Sequence, residues 1–413
     1  MTEDDPAATE IQSKGSVMAT IAAGKGVILG DPAPWFGAPL IGAGAFNLQV
    51  AAGGWIVLSF LGSPANPKVD RELTELLRDV EPFDGDKMLF CGIFTAPPAD
   101  PTPYIAMTTP AISFLSDYDG AISRSFGAAE MPRTIVLDPM LRAVADIPWD
   151  HCAGHVETVR NVLQSLPTVD DSAGVPLTAP ALIVPRIFDF ELCDFLVEVY
   201  DKLGGKDSGF LFDSDGNTST VVDYRLKRRN DLNILVPDLR ETIRGQIVRR
   251  LVPAIERFFQ FSATRMDRYV VACYDSAIGG HFYRHRDNVN VGAQHRRFAV
   301  TINLNKDYDG CDLIFPEFGR RSYRAPHGGA IVFSCGALHQ VTPVTNGRSY
   351  ASSPVSMARP MRRCARPTIP RSCRANSATA AQCRIGCSPT MPTARSSAAP
   401  ASSMPSCQGG ILG

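Results

Sequence analysis

The chain has no C-x-x-C pair, no uncharged apolar run of the ~18–20 residues that a membrane helix needs, and no basic start of the kind that opens a signal peptide. Each absence removes a class. Six of the eleven cysteines are scattered through the first 350 residues, and five (Cys364, Cys373, Cys383, Cys387 and Cys407) lie in the last segment. That distribution suits reduced cytosolic thiols better than a disulfide framework. With the acidic opening "MTEDDPAATE", it predicts a cytoplasmic protein with no membrane partner. Residues 351–413 lack something further: they hold no Asp, no Glu and no aromatic. Their eight arginines leave the rest of the chain at −9, against −1 overall, so no general basic field is available to hold nucleic acid.

What is present divides the chain. Its 413 residues are enough for two domains. Residues 1–29 read as a flexible lead-in. "GWIVLSFLG" (54–62), "KMLFCGIFT" (87–95) and "RTIVLDP" (133–139) are short apolar runs of the buried-strand type. Between and after them, "PKVDRELTELLRDVE" and "VETVRNVLQSL" carry helical spacing. This alternation predicts an α/β domain at 30–166 with a largely parallel sheet. "PTVDDSAGVPLTAPA" (167–181) is a linker. Two helices follow, "FELCDFLVEVYDKLGG" and "LRETIRGQIVRRLVPAIERFF", and then serial strand-like runs. That order predicts a mainly-β barrel or jelly roll with supporting helices over 182–351.

The blocks "GDPAPWF", "WIVLSFLGSPANP", "FLSDYDGAISRSFG" and "MPRTIVLDP" resemble the peroxiredoxin branch of the thioredoxin fold across nearly all of 30–166. Redoxin chemistry needs a thiolate at the strand-to-helix turn, where the helix N-terminus lowers its pKa. Here that turn reads "SPANPKVD", and the position expected for the cysteine is Val69. The resemblance therefore implies the fold without peroxidase chemistry. The first cysteine, Cys91, falls inside an apolar strand and reads as a buried thiol. "DHCAGH" spaces His151 and His155 four apart, as a helical metal clip or as a solvated turn before the last helix.

The chemistry-bearing motif lies further on. In "HFYRHRDN", His285 and Asp287 at i and i+2 on a strand share a face, with Arg284 and Arg286 on the other. These two supply two-thirds of a 2-His-1-carboxylate triad, which leaves iron positions open for a co-substrate and O2. His339 in "CGALHQVTPV" is the candidate third ligand, and Arg348 nine residues later can grip a dicarboxylate. H-x-D, a histidine some fifty residues on, and a basic residue beyond it together resemble the Fe(II)/2-oxoglutarate-dependent dioxygenases. The prolyl-hydroxylase type is the most similar branch. "ACYDSAIGGHFYRHRDN", "HRRFAVTINLN", "DYDGCDLIFPEFG" and "YRAPHGGAIVFSCGALHQVTPV" support this.

The resemblance implies a double-stranded β-helix with His285, Asp287 and His339 as catalytic iron ligands. Tyr274, Asn303 and Arg348 would contact 2-oxoglutarate. Fe(II), 2-oxoglutarate and O2 are the implied cofactor and co-substrates, with ascorbate as an accessory candidate. The substrate would be a protein or peptide side chain, prolyl among the options, or a small molecule. Two features depart from the family's pattern. The bacterial ending "GRRYA" reads "GRSYA", so Ser349 stands where an arginine directly precedes the tyrosine. "GGxL" reads "GCDL", with Cys311 in place of glycine and expected as a surface thiol on the barrel rim. "RLKRRND" (225–231) reads as a solvated loop or the lining of the substrate mouth, and "FDSDGNTS" as a hairpin or lid. His281 and His295 lack ligand spacing.

Two other functions stand beside hydroxylation: a binding protein with an impaired oxygenase site and the thiol-less domain as docking module, and a thiol peroxidase. Residues 352–413 read as a disordered tail or as sequence translated out of frame. Codons compatible with Met357 to Pro367 also spell the acidic "YGETDAALREA" in another frame, an idea that the coding DNA tests.

Overall fold

A computed structural model describes residues 26–78, 83–149, 154–214, 217–352 and 357–358. The N-terminal sheet has five strands: β1 (Trp55–Gly62), β2 (Met88–Phe94), β3 (Ile112–Ser116), β4 (Arg133–Leu137) and β5 (Ala143–Pro148), in the order β3-β2-β1-β4-β5. Alternation along β1 sends Trp55 and Val57 to one hydrophobic cluster, and Ile56, Leu58 and Phe60 to another on the opposite face. Both faces are covered, which is why the strand reads as one apolar run. The sheet is mixed, in contrast to the largely parallel one expected. β1, β2 and β3 are parallel, whereas β4 is antiparallel to both β1 and β5. The reason is local: Asp138 accepts from the backbone N–H groups of Met140 and Arg142, closing a tight hairpin that only antiparallel strands can use.

Helix α1 (Pro67–Leu76) starts where Asn66 caps the Lys68 N–H and Pro67 takes the first turn. It buries Val69, Leu73 and Leu76. Val69, the position expected for a redoxin thiol, is thus an apolar core side chain. Cys91 is buried in β2, and burial raises its thiol pKa far above the ordinary range. We expect a thiol reagent to label Cys91 only at the rate of unfolding. Mass spectrometry of the native protein checks this, and rapid native labelling would contradict the burial. Helix α2 (His155–Ser165) closes the layer; His151 and Cys152 lie outside the described residues.

Among the described residues the second half has a two-stranded antiparallel sheet and two larger ones. In one run β7 (Lys227–Arg228), β10 (His281–His285), β15 (His339–Val341), β12 (Leu313–Ile314) and β13 (Ser322–Tyr323), in the order β7-β10-β15-β12-β13. The other contains β8 (Asn230–Asn233), β9 (Val270–Asp275), β16 (Val344–Ser352) and β11 (Phe298–Asn303) as neighbours. β14 (Ala330–Ser334) joins β11, and β6 (Leu182–Val184) joins β14. Leu313 and Tyr323 of the first sheet share a core cluster with Ala299, Ile331 and Phe333 of the second. The alternate residues Val300, Ile302 and Val332 face away, onto a cluster with helices α3 (Phe190–Leu203), α4 (Pro237–Arg250) and α5 (Val252–Phe259).

The single long helix expected over residues 239–259 is broken between α4 and α5, with Pro253 in the first turn of α5. "FDSDGNTS" lies in an antiparallel pairing of Phe210–Ser214 with Asn217–Val221. The last long strand runs one residue past Ala351, and β17 (Met357–Ala358) pairs with Arg265–Met266. The out-of-frame expectation for the rest of the tail lies outside the described residues. No described helix is long and apolar enough to cross a membrane.

Candidate metal centre

His285 ends β10 and His339 begins β15, and the two are direct cross-strand partners. Asp287 follows two residues after His285, its N–H donating to the Cys335 carbonyl at 2.9 Å. The strand pleat therefore brings the three side chains to one place, with one ligand atom from each lying within 4.8 Å of the others. Asp287 Oδ1 is 3.5 Å from His285 Nε2, and its Oδ2 is 3.8 Å from His339 Nε2.

The Nδ1 atoms decide the orientation. His285 Nδ1 meets the Tyr283 carbonyl at 2.8 Å and His339 Nδ1 meets the Ala337 carbonyl at 3.1 Å. An N–H on each Nδ1 fixes the tautomer and leaves the Nε2 lone pairs beside the carboxylate. Aromatic rings hold both imidazoles: Phe282 stacks on His285 at 3.5 Å between centroids, and Phe333 meets His339 edge-on at 4.6 Å. A bulge between Phe282 and His285 lets side chains three apart share a face.

Burial alone would raise the Asp287 pKa, but His339 and His285 beside it hold the carboxyl well below the usual range. Burial, reinforced by His285, pushes His339 down to about 4, so its imidazole is neutral across physiological pH. One ionised carboxylate and two imidazoles oriented by their Nδ1 contacts make a donor set for a divalent first-row metal. Among the described residues this is the one group of three such donors.

The residues expected at the co-substrate separate. Tyr274 is buried and pairs with Ser349, and burial pushes its phenol up to about 12. Arg348 lies on the outer face. It pairs with Asp275, and its side chain, 55% exposed, binds Asp275 Oδ2 at 2.9 Å and lies 3.7 Å from Asp201. One residue along a strand is a change of face, so Arg348 points outward while Ser349 points in. Asn303 is buried, but protein groups use both ends of its amide: Nδ2 donates to the Ala325 carbonyl and Oδ1 accepts from Tyr308. Cys311 is half-buried, so it is not a fully exposed rim thiol. Burial pushes its thiol up to about 12, and Ser349 lies within hydrogen-bonding reach. Its φ of 58° is left-handed, a conformation that glycine adopts without strain.

"RLKRRND" is neither a solvated loop nor uniformly exposed. Lys227, Arg229 and Asp231 are buried, whereas Arg225 and Arg228 are exposed. Spacing of two on an extended segment is the signal that identifies this buried face. Arg229 forms an ion pair with Asp231, its Nη2 donating to Asp231 Oδ2 at 2.8 Å, and its guanidinium carbon lies 5.8 Å over the Tyr274 ring. Lys227 Nζ sits 4.7 Å over Phe282, the ring stacked on His285. Burial, with Arg229 next, pushes this ammonium down to about 6. His281 bonds the Gly279 and Arg225 carbonyls and His295 pairs with Asp267, so neither joins the triad.

Two sheets with a cross-strand His-Asp-His cluster provide the donor arrangement of a facial-triad metal site. Residues 269–354 match the family model of the 2OG-Fe(II) oxygenase superfamily. It is 27% identical over 134 residues to a PKHD-type hydroxylase of Synechococcus sp. (strain JA-2-3B'a(2-13)), covering 29% of this chain and 59% of that relative's length. Among solved structures, a viral collagen prolyl hydroxylase from Paramecium bursaria Chlorella virus-1 is similar at 14% identity and a TM-score of 0.33. It covers 43% of this chain and 96% of its own. Peroxidoxin BcpB of Mycobacterium tuberculosis is similar at 18% identity and a TM-score of 0.30, over 34% and 99%.

Proposed function

We propose that the chain is an Fe(II)- and 2-oxoglutarate-dependent dioxygenase that hydroxylates a protein or peptide side chain, prolyl residues being the first class to test. The reading assigns residues 182–351 to a double-stranded β-helix and 30–166 to a thioredoxin-like domain without redoxin chemistry. One observation carries it: His285 and His339 face each other across two strands, both with Nδ1 on a backbone carbonyl and Nε2 beside Asp287.

The donor set fits Fe(II), with His285, Asp287 and His339 as its ligands. Bound there, the metal supplies coupled oxidation by O2, in which 2-oxoglutarate yields succinate and CO2 and one oxygen atom enters a substrate C–H bond. The protein's share is position and charge. Asp287 stays ionised, His339 stays neutral, and Phe282 and Phe333 keep both imidazole rings from turning. Tyr274 and Arg229 receive the far carboxylate of 2-oxoglutarate, because outward-facing Arg348 has its partners on the other side of the strand. Lys227, whose ammonium burial pushes down to about 6, lies on the same side as a further hydrogen-bonding group. The ionised carboxylates of Asp231 and Asp287 leave it to the bound metal and Arg229 together to attract the anionic co-substrate.

The test is succinate formation from 2-oxoglutarate by purified protein with Fe(II) and air, with and without proline-containing peptides. The expected result is a slow iron-dependent background that a suitable peptide accelerates. If adding iron produces no succinate above the iron-free sample, the enzymatic reading fails and the binding-protein alternative takes its place.

A further inference from the structure

The strand residues that alternate with the metal ligands do not face solvent; they face the N-terminal sheet layer. Arg286 stands between His285 and Asp287 and is 6% exposed. Its guanidinium grips Glu317 with two bonds of 2.8 and 3.0 Å, donates to the Gln49 carbonyl at 3.0 Å, and also reaches the Gly336 carbonyl. Trp35 packs against it, with the guanidinium carbon 5.0 Å over the ring. Arg284, on the other side of His285, bonds the Ala52 carbonyl at 3.3 Å and Asp86 at 2.8 Å.

The third ligand is held in the same way. Leu338, immediately before His339, is wholly buried, and its side chain belongs to the N-terminal hydrophobic cluster with Leu48 and Ala52. Its N–H donates to Glu317 at 3.0 Å. Glu317 thus ties the strand carrying His285 to the residue preceding His339. The fit is close, since a β-carbon at Gly53 would collide with Pro316, the neighbour of Glu317.

We propose that the N-terminal layer acts as a positioning device for the metal centre, fixing both ligand strands from behind through Arg286, Glu317 and Leu338. This rests on the triad binding a divalent cation. It gives the thiol-less layer a task that needs neither redox chemistry nor an outside partner. Arg286 and Glu317 are positioning residues, since they act through the ligands without touching the metal. Coupling of this kind is reciprocal: what the layer does for metal affinity, metal binding does for the order of the layer.

The experiment uses the full chain and Mn(II) as probe. Calorimetry gives the Mn(II) affinity of wild type and Glu317→Gln, and amide exchange is followed with and without Mn(II). Loss of an outer-shell partner is expected to weaken Mn(II) binding about 10- to 100-fold. Independently of any variant's folding, Mn(II) should slow exchange in wild-type segments 48–53 and 336–339, and should not do so in His285→Ala. Unchanged exchange at 48–53 in Mn(II)-loaded wild type overturns the proposal while leaving the metal site intact. Wild-type affinity in a folded Glu317→Gln protein overturns it as well. Failure of wild type to bind Mn(II) at all removes the metal reading and this inference with it.

Discussion

Asp287→Ala is expected to lower Mn(II) and Fe(II) affinity by at least ~100-fold, beyond the ~10- to 100-fold that follows loss of an outer-shell partner. Iron-dependent succinate formation should fall to background. The expectation follows from charge. Asp287 is the only anion among the three ligands, it lies within 3.5–3.8 Å of both Nε2 atoms, and it is ionised despite its burial. Asp287→Asn keeps the shape and removes the charge, so it should lose nearly as much affinity while folding normally. Metal titration by calorimetry, with thermal unfolding of the metal-free proteins as the control, checks both variants. A Asp287→Asn protein that binds metal like wild type would contradict the role given to the carboxylate.

Arg229→Ala should weaken 2-oxoglutarate binding to the metal-loaded protein by about 10- to 100-fold, the range for losing a charge-assisted hydrogen bond. Arg348→Ala should leave it unchanged. The contrast comes from facing. Arg229 is buried against Tyr274, whereas Arg348 is on the outer face in an exposed pair with Asp275 and Asp201. Exposed pairs of that kind contribute little, about 0–1 kcal/mol. Arg229→Ala also strips Asp231 of its buried partner, at about 3–5 kcal/mol of stability. Tyr274→Phe therefore serves as the gentler companion, because it removes one hydroxyl and no charge. Equilibrium titration of 2-oxoglutarate into Mn(II)-loaded proteins measures all three. Weakening by Arg348→Ala with none by Arg229→Ala or Tyr274→Phe would reverse the assignment.

The metal ligands were legible in the sequence because two-residue alternation is local: "HRD" on a strand places His285 and Asp287 together without knowledge of the rest of the fold. His339 needed only a second strand beside the first. The same rule does not settle Arg348, since a spacing counted in residues says nothing about which face a strand presents after a loop. The parallel half of the N-terminal sheet could be read from apolar runs, but the hairpin joining β4 and β5 depends on Asp138 capping its own turn. The buried basic side chains of Lys227 and Arg229 carry the spacing signal of a strand, yet a cluster of basic residues ordinarily means solvent. Glu317 had no signal at all: it is one acid in "FPEFG", and its importance arises from Arg286 and Leu338 converging on it across long stretches of chain.

The most direct measurement is the visible absorption of Fe(II)-loaded protein on anaerobic addition of 2-oxoglutarate, where chelation by both the 2-oxo and adjacent carboxylate oxygens produces a charge-transfer band. The account predicts a saturable band in wild type and in Arg348→Ala, and none in Asp287→Ala. A band that persists in Asp287→Ala, or that wild type never shows while it binds Fe(II), would contradict the assignment of His285, Asp287 and His339 as an iron and 2-oxoglutarate centre.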